Sequence, residues 1–390
     1  MAWMIREDQL DPDQRDFVNT ESKKVGNIWI KGFAGSGKSV LLVHSLRDIL
    51  IKEPNAKVAI IVFTHSLKDM FGAGLKELGI YEKAPVMTYY DFVRGTATYD
   101  YVFCDEVQDL PARVLYAMKA RAKKVIVAGD SNQSIYDKDP QWRDDTVDPE
   151  IIGDLINARP FLLNTIHRLT QSIISAVQKI LPSMNIWGAK RDLTKIDVNI
   201  RVCEANSVEE EVAYIYQEAR KGANVGDTCA ILLPTSKLVL KFVNTLLENE
   251  DCDSWETEYN YWRKPDYGKM NNYLKANGIK AQYIGSNYGS LKDAEASKDI
   301  IIMTYHSAKG LDFDNVFIPF ANDDLYISKD NEETLFMVAM TRSRKNLYFT
   351  FEGYTHDLVD RFIADCTYIN IEEYLGPRED IDEDDDDFVF

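Results

Sequence analysis

The chain has 390 residues, 45% of them apolar, and a formal charge of −18. That length exceeds one comfortable core and points to two domains, while no apolar run is long enough to cross a membrane. The acidic balance excludes a broadly basic nucleic-acid binder, even with the tail at 378–390 set aside, which leaves −11; a polynucleotide would need a local groove.

The opening "MAWMIREDQLDPDQ" carries no basic-then-apolar leader. The five cysteines (Cys104, Cys203, Cys229, Cys252, Cys366) are scattered without a CxxC pair. They read as reduced thiols of a cytoplasmic protein, and the five dispersed histidines suggest no zinc site.

The first predicted strand, "NIWI", runs into Gly32-x-x-x-x-Gly37-Lys38-Ser39 and then a helical stretch, "SVLLVHSLRDIL". Strand, glycine-rich loop and helix in that order make a P-loop, with Gly35 and Ser36 inside it. The glycines let backbone N–H groups converge on a phosphate, Lys38 reaches the β and γ oxygens, and the Ser39 hydroxyl ligates Mg2+. Three more β-branched runs follow, "KVAIIVF", "YDYVFCDE" and "KKVIVAGD", each ending in polar residues. Helical stretches between them predict a parallel sheet covered on both faces, with the chemistry beyond the carboxyl ends of its strands.

Two of those ends carry further chemistry. In "CDEVQDL", Asp105 suits the metal shell and Glu106 suits orienting or deprotonating water. In "VAGDSNQSIY", Gln133 can sense the γ-phosphate, and Tyr136 could face another ligand. A hydrophilic segment marks a boundary near 145–160. The alternation then repeats in "INIRVCEA", "DTCAILLP", "DIIIMTYH", "DNVFIPF" and "KNLYFTFEG", giving a second α/β domain. Before the third of these, Trp255, Tyr259 and Trp262 fall at helical spacing, followed by Arg263, Lys264 and Lys269. Such a stripe is expected to pack on its own domain, with a surface for bases or a partner as the alternative.

P-loop, DExQD and GDxxQ in this order resemble the superfamily 1 helicases of the UvrD/Rep type, and the resemblance extends over nearly all of residues 8–352. It implies two RecA-like P-loop NTPase domains with parallel sheets, at 1–155 and 156–376, with the ATP site between them and an acidic, disordered tail at 377–390. On that pattern "QLDPDQ" supplies Gln14 as the adenine contact. "VFTHSLKDM" and "MTYYDF" supply strand contacts, Thr64, His65 and Tyr89, with Tyr136 and Trp142 in or beside matched motifs. "LLNTIHRLT" gives Arg168, preceded by His167 where the family places a stacking tyrosine. "TYHSAKGLDFDNVFIP" gives His306 on the strand and Gly310 and Asp312 at the nucleotide, and "VAMTRSRKNLYF" gives Arg342.

The resemblance thus implies a nucleotide site of Gln14, Gly32, Gly35, Ser36, Gly37, Lys38, Ser39, His167, Gly310 and Asp312, with ATP and Mg2+ as cofactors. Catalysis falls to Lys38, Asp105, Glu106, Gln133 and two arginine fingers, Arg168 and Arg342, and the metal to Ser39 and Asp105. The implied activity is an ATP-dependent translocase or helicase on single-stranded DNA, 3′ to 5′, with RNA left open as the track. The sequence departs from the family at His167, at Val40 (usually arginine) and at Asp312 (usually glutamate). About a dozen residues separate "TYYDF" from "CDEVQDL", too few for the family's first helical insertion. A stripped motor of this kind supports translocation better than unwinding. The alternative is a nucleic-acid-gated ATPase switch acting on a protein partner such as a nuclease, engaged through the acidic tail.

Overall fold

The computed structural model describes residues 3–130, 134–136, 138–139, 141–184, 190–191, 196–261 and 263–375. Gln133, Trp262 and the tail from 376 onward lie outside the described residues. The first sheet holds β1 (Asn27–Gly32), β2 (Val58–Val62), β3 (Val86–Thr88), β4 (Tyr99–Cys104), β5 (Ala122–Gly129) and β6 (Ala158–Leu163). All are parallel, in the order β3-β2-β4-β5-β1-β6. β2 is buried along its whole length, as a strand covered on both faces must be. β6 lies past residue 155, where the sequence places the domain boundary, and it pairs with β1 through Ile30 and Phe161.

A two-stranded ribbon, β7 (Thr165–Ile166) with β8 (Lys190–Arg191), follows the first sheet. The second sheet holds β9 (Asn199–Ala205), β10 (Cys229–Leu233), β11 (Ala281–Tyr283), β12 (Ile300–Thr304), β13 (Phe313–Ile318), β14 (Ser343–Glu352) and β15 (Thr367–Asn370). It too is parallel throughout, in the order β11-β12-β10-β13-β14-β9-β15. Two all-parallel α/β domains are the architecture expected of a RecA-like pair. Within the two large sheets, the four strands that the sequence pattern does not reveal, β3, β6, β11 and β15, are the four edges. An edge strand pairs on one side only and carries a weaker apolar signature.

Helices that start just beyond the strand ends bring the functional residues to one rim. α1 (Pro12–Asn19) is capped by Asp11, whose carboxylate accepts from Gln14 N while Gln14 Oε1 accepts from Asp11 N. α2 (Lys38–Lys52) follows β1 through the P-loop, α3 (His65–Glu77) follows β2 and is capped by Thr64, and α4 (Tyr89–Arg94) follows β3 and is capped by Thr88. One buried apolar cluster runs from the first sheet into the near face of the second domain, through Leu311, Phe313 and Met337. A second cluster fills the far face around Phe242, Met270 and Ile302.

The aromatic stripe is corrected. Residues 252–258 form no helix; Asp251 and Arg263 adopt positive φ, and Tyr259 bridges to Pro265. Helix begins only at Tyr267, capped by Asp266. Trp255 is buried in the far core, whereas Tyr259 and Tyr261 are exposed, so the residues share no face. Lys269 pairs with Glu258, which removes part of the basic surface.

Candidate nucleotide and nucleic-acid site

The P-loop backbone takes the shape its glycines allow. Gly35 and Gly37 sit at φ +75° and +85°, and a Cβ at Gly35 would lie 2.5 Å from Arg168 Cβ. Gly37 caps α2 without a side chain, so the first-turn N–H groups of this 15-residue helix face the loop uncapped. Such a terminus attracts anions. Lys38 Nζ donates back to the carbonyls of Gly32 (2.8 Å) and Phe33 (3.0 Å), and Ser39 Oγ donates to Asp105 Oδ2 at 2.6 Å. Ser36 Oγ and the Nε and Nη2 of Arg168 are buried without a partner among the described residues. Buried polar groups in this condition are costly unless a ligand completes them. These donors fit a nucleoside triphosphate with a divalent metal, Ser39 and Asp105 toward the metal and Lys38 with the α2 terminus toward the phosphates. The bound metal would neutralise phosphate charge and polarise the bond to be broken.

The carboxylates behind the loop are held in different states. Burial, then the neighbouring charge of Glu106, pushes Asp105 up to about 6 against the opposing pull of Ser39 and Lys38. A cation at Ser39 and Asp105 would reverse that penalty. Burial also opposes the charge on Glu106, but Lys309, Lys38, Gln108 and Arg342 outweigh it and hold the carboxyl below its ordinary value. Glu106 is therefore ionised at neutral pH and able to accept a proton. Its backbone is left-handed, φ 54°, a conformation that costs a non-glycine residue roughly 1–3 kcal/mol and that is concentrated at functional sites. Gln108 Nε2 donates to Glu106 Oε2 and its Oε1 accepts from Asp130 N, tying the acid to the end of β5.

One short segment of the second domain closes over this rim. It comprises helix Tyr305–Ala308 and the loop to Asp312. The His306 ring centroid lies 5.1 Å from that of Tyr136. Lys309, only 3% exposed, pairs with Asp109 and stands 3.7 Å from Glu106. Gly310 has φ +79°, and a Cβ there would strike Leu67 Cδ2 at 2.6 Å. Asp312 Oδ1 accepts from Arg168 Nη1 at 2.5 Å, so the expected ribose acid and the expected first finger hold each other in this state. Arg342 is 1% exposed and donates to neutral oxygens, those of Val338, Leu311 and the Thr341 hydroxyl. Burial and the nearby Arg168 push its guanidinium down to about 9.

The nucleotide-base side differs from expectation. Gln14 is 1% exposed, and its Nε2 donates to Ser36 O at 3.1 Å beneath the loop. His167 Nε2 bonds Asp11 Oδ2 at 2.6 Å, and His167 N donates to Gly35 O.

Of the residues expected to touch a strand, Tyr89, Tyr136, Trp142 and His306 are connected through aromatic rings, whereas Thr64 and His65 lie outside that row. Tyr90, Trp142, Tyr89, Phe63, Tyr136 and His306 follow one another at centroid spacings of 4.6 to 5.6 Å. Tyr136, Trp142 and His306 are half-buried, and His65 is exposed at the start of α3. Burial, then Lys309, pushes His306 down to about 4, so at neutral pH it offers a neutral ring. Tyr89 is different: it is 3% exposed, stacks on Phe63, and donates its hydroxyl to Asp139. Asp139 also accepts from Trp142 N. Tyr89 thus supports the row from behind, because its ring fills the core that its neighbours need.

Around the carboxylates, three residues were not singled out from the sequence: Gln108, Asp109 and Lys309. They stand inside the quoted stretches "CDEVQDL" and "SAKGLDF", but nothing local tells a lysine that it will bridge carboxylates 200 residues away.

Two family models match the chain. Residues 28–147, in the first sheet, match a viral superfamily 1 RNA helicase core domain, and residues 263–354, in the second, match a UvrD-like helicase C-terminal domain. Among solved structures, the PRRSV helicase is similar at 14% identity and TM-score 0.44, over 83% of this chain and 52% of that one. Arterivirus nonstructural protein 10, a helicase, is similar at 13% identity and TM-score 0.43, over 86% of this chain and 61% of that one. The chain therefore spans between half and two thirds of those proteins. No curated protein matches it. With helicase models on both sheets, and with the P-loop, the paired acids and the buried arginine at the rims those models cover, both halves of the chain are similar to superfamily 1 helicases.

Proposed function

We propose that the protein hydrolyses ATP with Mg2+ and uses the cycle to move along single-stranded DNA. The observation that carries this reading is the segment 305–312, which touches the aromatic row through His306 and the hydrolytic carboxylates through Lys309. A strand held at one end of that segment and a nucleotide at the other would be felt through the same few residues. Glu106 accepts the proton of the attacking water, Lys38 and the α2 terminus hold phosphate oxygens, and Ser39 with Asp105 holds the metal. Arg168 releases Asp312 and, with Arg342, turns to the transferred group; an arginine finger of this kind contributes roughly 10³–10⁵ in rate. Opening and closing of the two domains would then move one along the strand relative to the other.

The UvrD/Rep-type resemblance implies 3′-to-5′ movement on DNA, and residues 263–354 match a UvrD-like helicase C-terminal domain. The match to a viral superfamily 1 RNA helicase core favours a second reading, RNA as the track. α4 ends at Arg94 and β4 begins at Tyr99, which leaves no room for a helical insertion there and favours translocation over duplex splitting. A place in the cytoplasm agrees with the five free cysteines.

Steady-state ATP hydrolysis tests the proposal, measured alone, with single-stranded DNA and with single-stranded RNA, using Glu106→Gln as the blank. Stimulation by DNA is expected. Equal or greater stimulation by RNA moves the track to RNA, and no stimulation by either overturns the motor in favour of a partner-controlled switch.

A further inference from the structure

In the site proposed above, the groups expected to read adenine are all engaged in bracing the P-loop. Gln14 is buried, its Oε1 accepts from Asp11 N at 3.1 Å, and its Nε2 donates to Ser36 O at 3.1 Å. A Cβ at Gly37 would lie 2.4 Å from that same Nε2, so the amide lies directly against the loop backbone. The Asp11 carboxylate is divided between Gln14 N (2.7 Å, Oδ1) and His167 Nε2 (2.6 Å, Oδ2). His167 N in turn donates to Gly35 O at 2.9 Å. Five residues, Asp11, Gln14, Gly35, Ser36 and His167, thus form a closed ring around the loop, joining α1, the loop and the segment that carries Arg168. His167, tied to Asp11, stands where an unattached aromatic ring would otherwise be available to a base.

We infer that this site accepts nucleoside triphosphates with little regard to the base, and that Gln14, Asp11 and His167 are positioning residues for the phosphate loop. The inference rests on the nucleotide-hydrolysis reading and specifies its substrate class. Recognition comes from the triphosphate, through Lys38, Ser39 and the α2 terminus. A site built to hydrogen-bond one substrate group rejects an analogue lacking it by roughly 10⁴–10⁵. Here the two side chains expected at the base, Gln14 and His167, are already engaged by Ser36 O and Asp11, so discrimination is expected to stay within about tenfold.

Calorimetric binding to the full chain tests this, with Mg2+ present and five probes: non-hydrolysable analogues of ATP, GTP, CTP and UTP, and inorganic tripolyphosphate. The four nucleotides are expected within about tenfold of one another, with tripolyphosphate close behind. Gln14→Ala is expected to weaken all four nucleotides by the same factor, with its fold verified by circular dichroism; His167→Ala should do likewise. A hundredfold or greater preference for ATP, or a loss confined to ATP in Gln14→Ala, would overturn the inference and leave the motor standing. Binding of none of the five would overturn both.

Discussion

Replacing Lys309 by methionine removes an ammonium that stands between Asp109 and Glu106 while keeping a side chain of similar length in the same packing. The magnitude follows from Asp109, which is fully buried and whose carboxyl is pushed from 3.8 up to about 6, chiefly by burial, with Lys309 opposing. A raised carboxyl costs no stability below its unfolded value and increasingly more as pH rises toward the folded one. In the wild type that cost levels off above pH 6, at about 3 kcal/mol, because the ion pair takes over. Without Lys309, Asp109 stays protonated to higher pH and the cost keeps climbing by about 1.4 kcal/mol per pH unit. Relative to its deficit at pH 5.5, where the ionised Glu106 already misses Lys309, the variant should lose about a further 1.5 kcal/mol at pH 7 and about 2.5–3 kcal/mol at pH 8. Urea unfolding followed by tryptophan fluorescence at the three pH values measures this. Asp109→Asn on the Lys309→Met background should remove the Asp109 share of the dependence, since asparagine does not ionise, and leave only that of Glu106. A loss of the same size at all three pH values would refute the reasoning.

Other expectations are as specific. Glu106→Gln should keep nucleotide binding and lower strand-stimulated kcat by roughly 10²–10⁴, the usual contribution of a general base, as read by hydrolysis and calorimetry. Tyr136→Ala and His306→Ala should each weaken single-strand binding by about 1–3 kcal/mol in a fluorescence anisotropy titration. Tyr89→Phe, which loses only the bond to Asp139, should instead lower the melting temperature and leave strand affinity near wild type. Glu211 is buried, accepts from Phe320 N and the Thr350 hydroxyl, and leaves Oε2 without a partner among the described residues. Burial pushes its carboxyl from 4.5 up to about 7, so it should cost stability increasingly as pH rises from 4.5 through 7. Glu211→Gln should therefore gain on the wild type, from nothing at pH 4.5 to about 3 kcal/mol at pH 8 in urea titrations.

The parts of this protein legible in its sequence are those whose physics is local. Gly32, Gly37, Lys38 and Ser39 are neighbours because a strand must turn into a helix around a phosphate, and the run that buries β4 ends at Asp105 because the rim is where polarity begins. Central strands declare themselves by continuous apolar runs, edges do not, and so β3, β6, β11 and β15 emerge only in three dimensions. The stripe at Trp255 and Tyr259 shows the limit of periodicity: the spacing is helical, but positive φ at Asp251 and Arg263, with Pro265 close behind, breaks the backbone on which the spacing depends. Long-range pairing is the least visible layer. Gln14 and His167 can be placed in the right motifs, yet that one is sealed beneath the loop and the other tied to Asp11 depends on contacts 22 and 156 residues apart. Lys309 stands in a motif stretch as one cation among 45, and only the fold makes it the link between the two domains' chemistry.

The central claim is that hydrolysis at Glu106 is converted into directed movement on a strand. Stopped-flow fluorescence on end-labelled single-stranded DNA of increasing length, with ATP and a trap for released protein, tests it most directly. The account predicts a delay before the signal that grows linearly with length, for a label at the 5′ end, and that vanishes in Glu106→Gln. Strand-stimulated hydrolysis with a delay independent of length would contradict movement and leave only a switch.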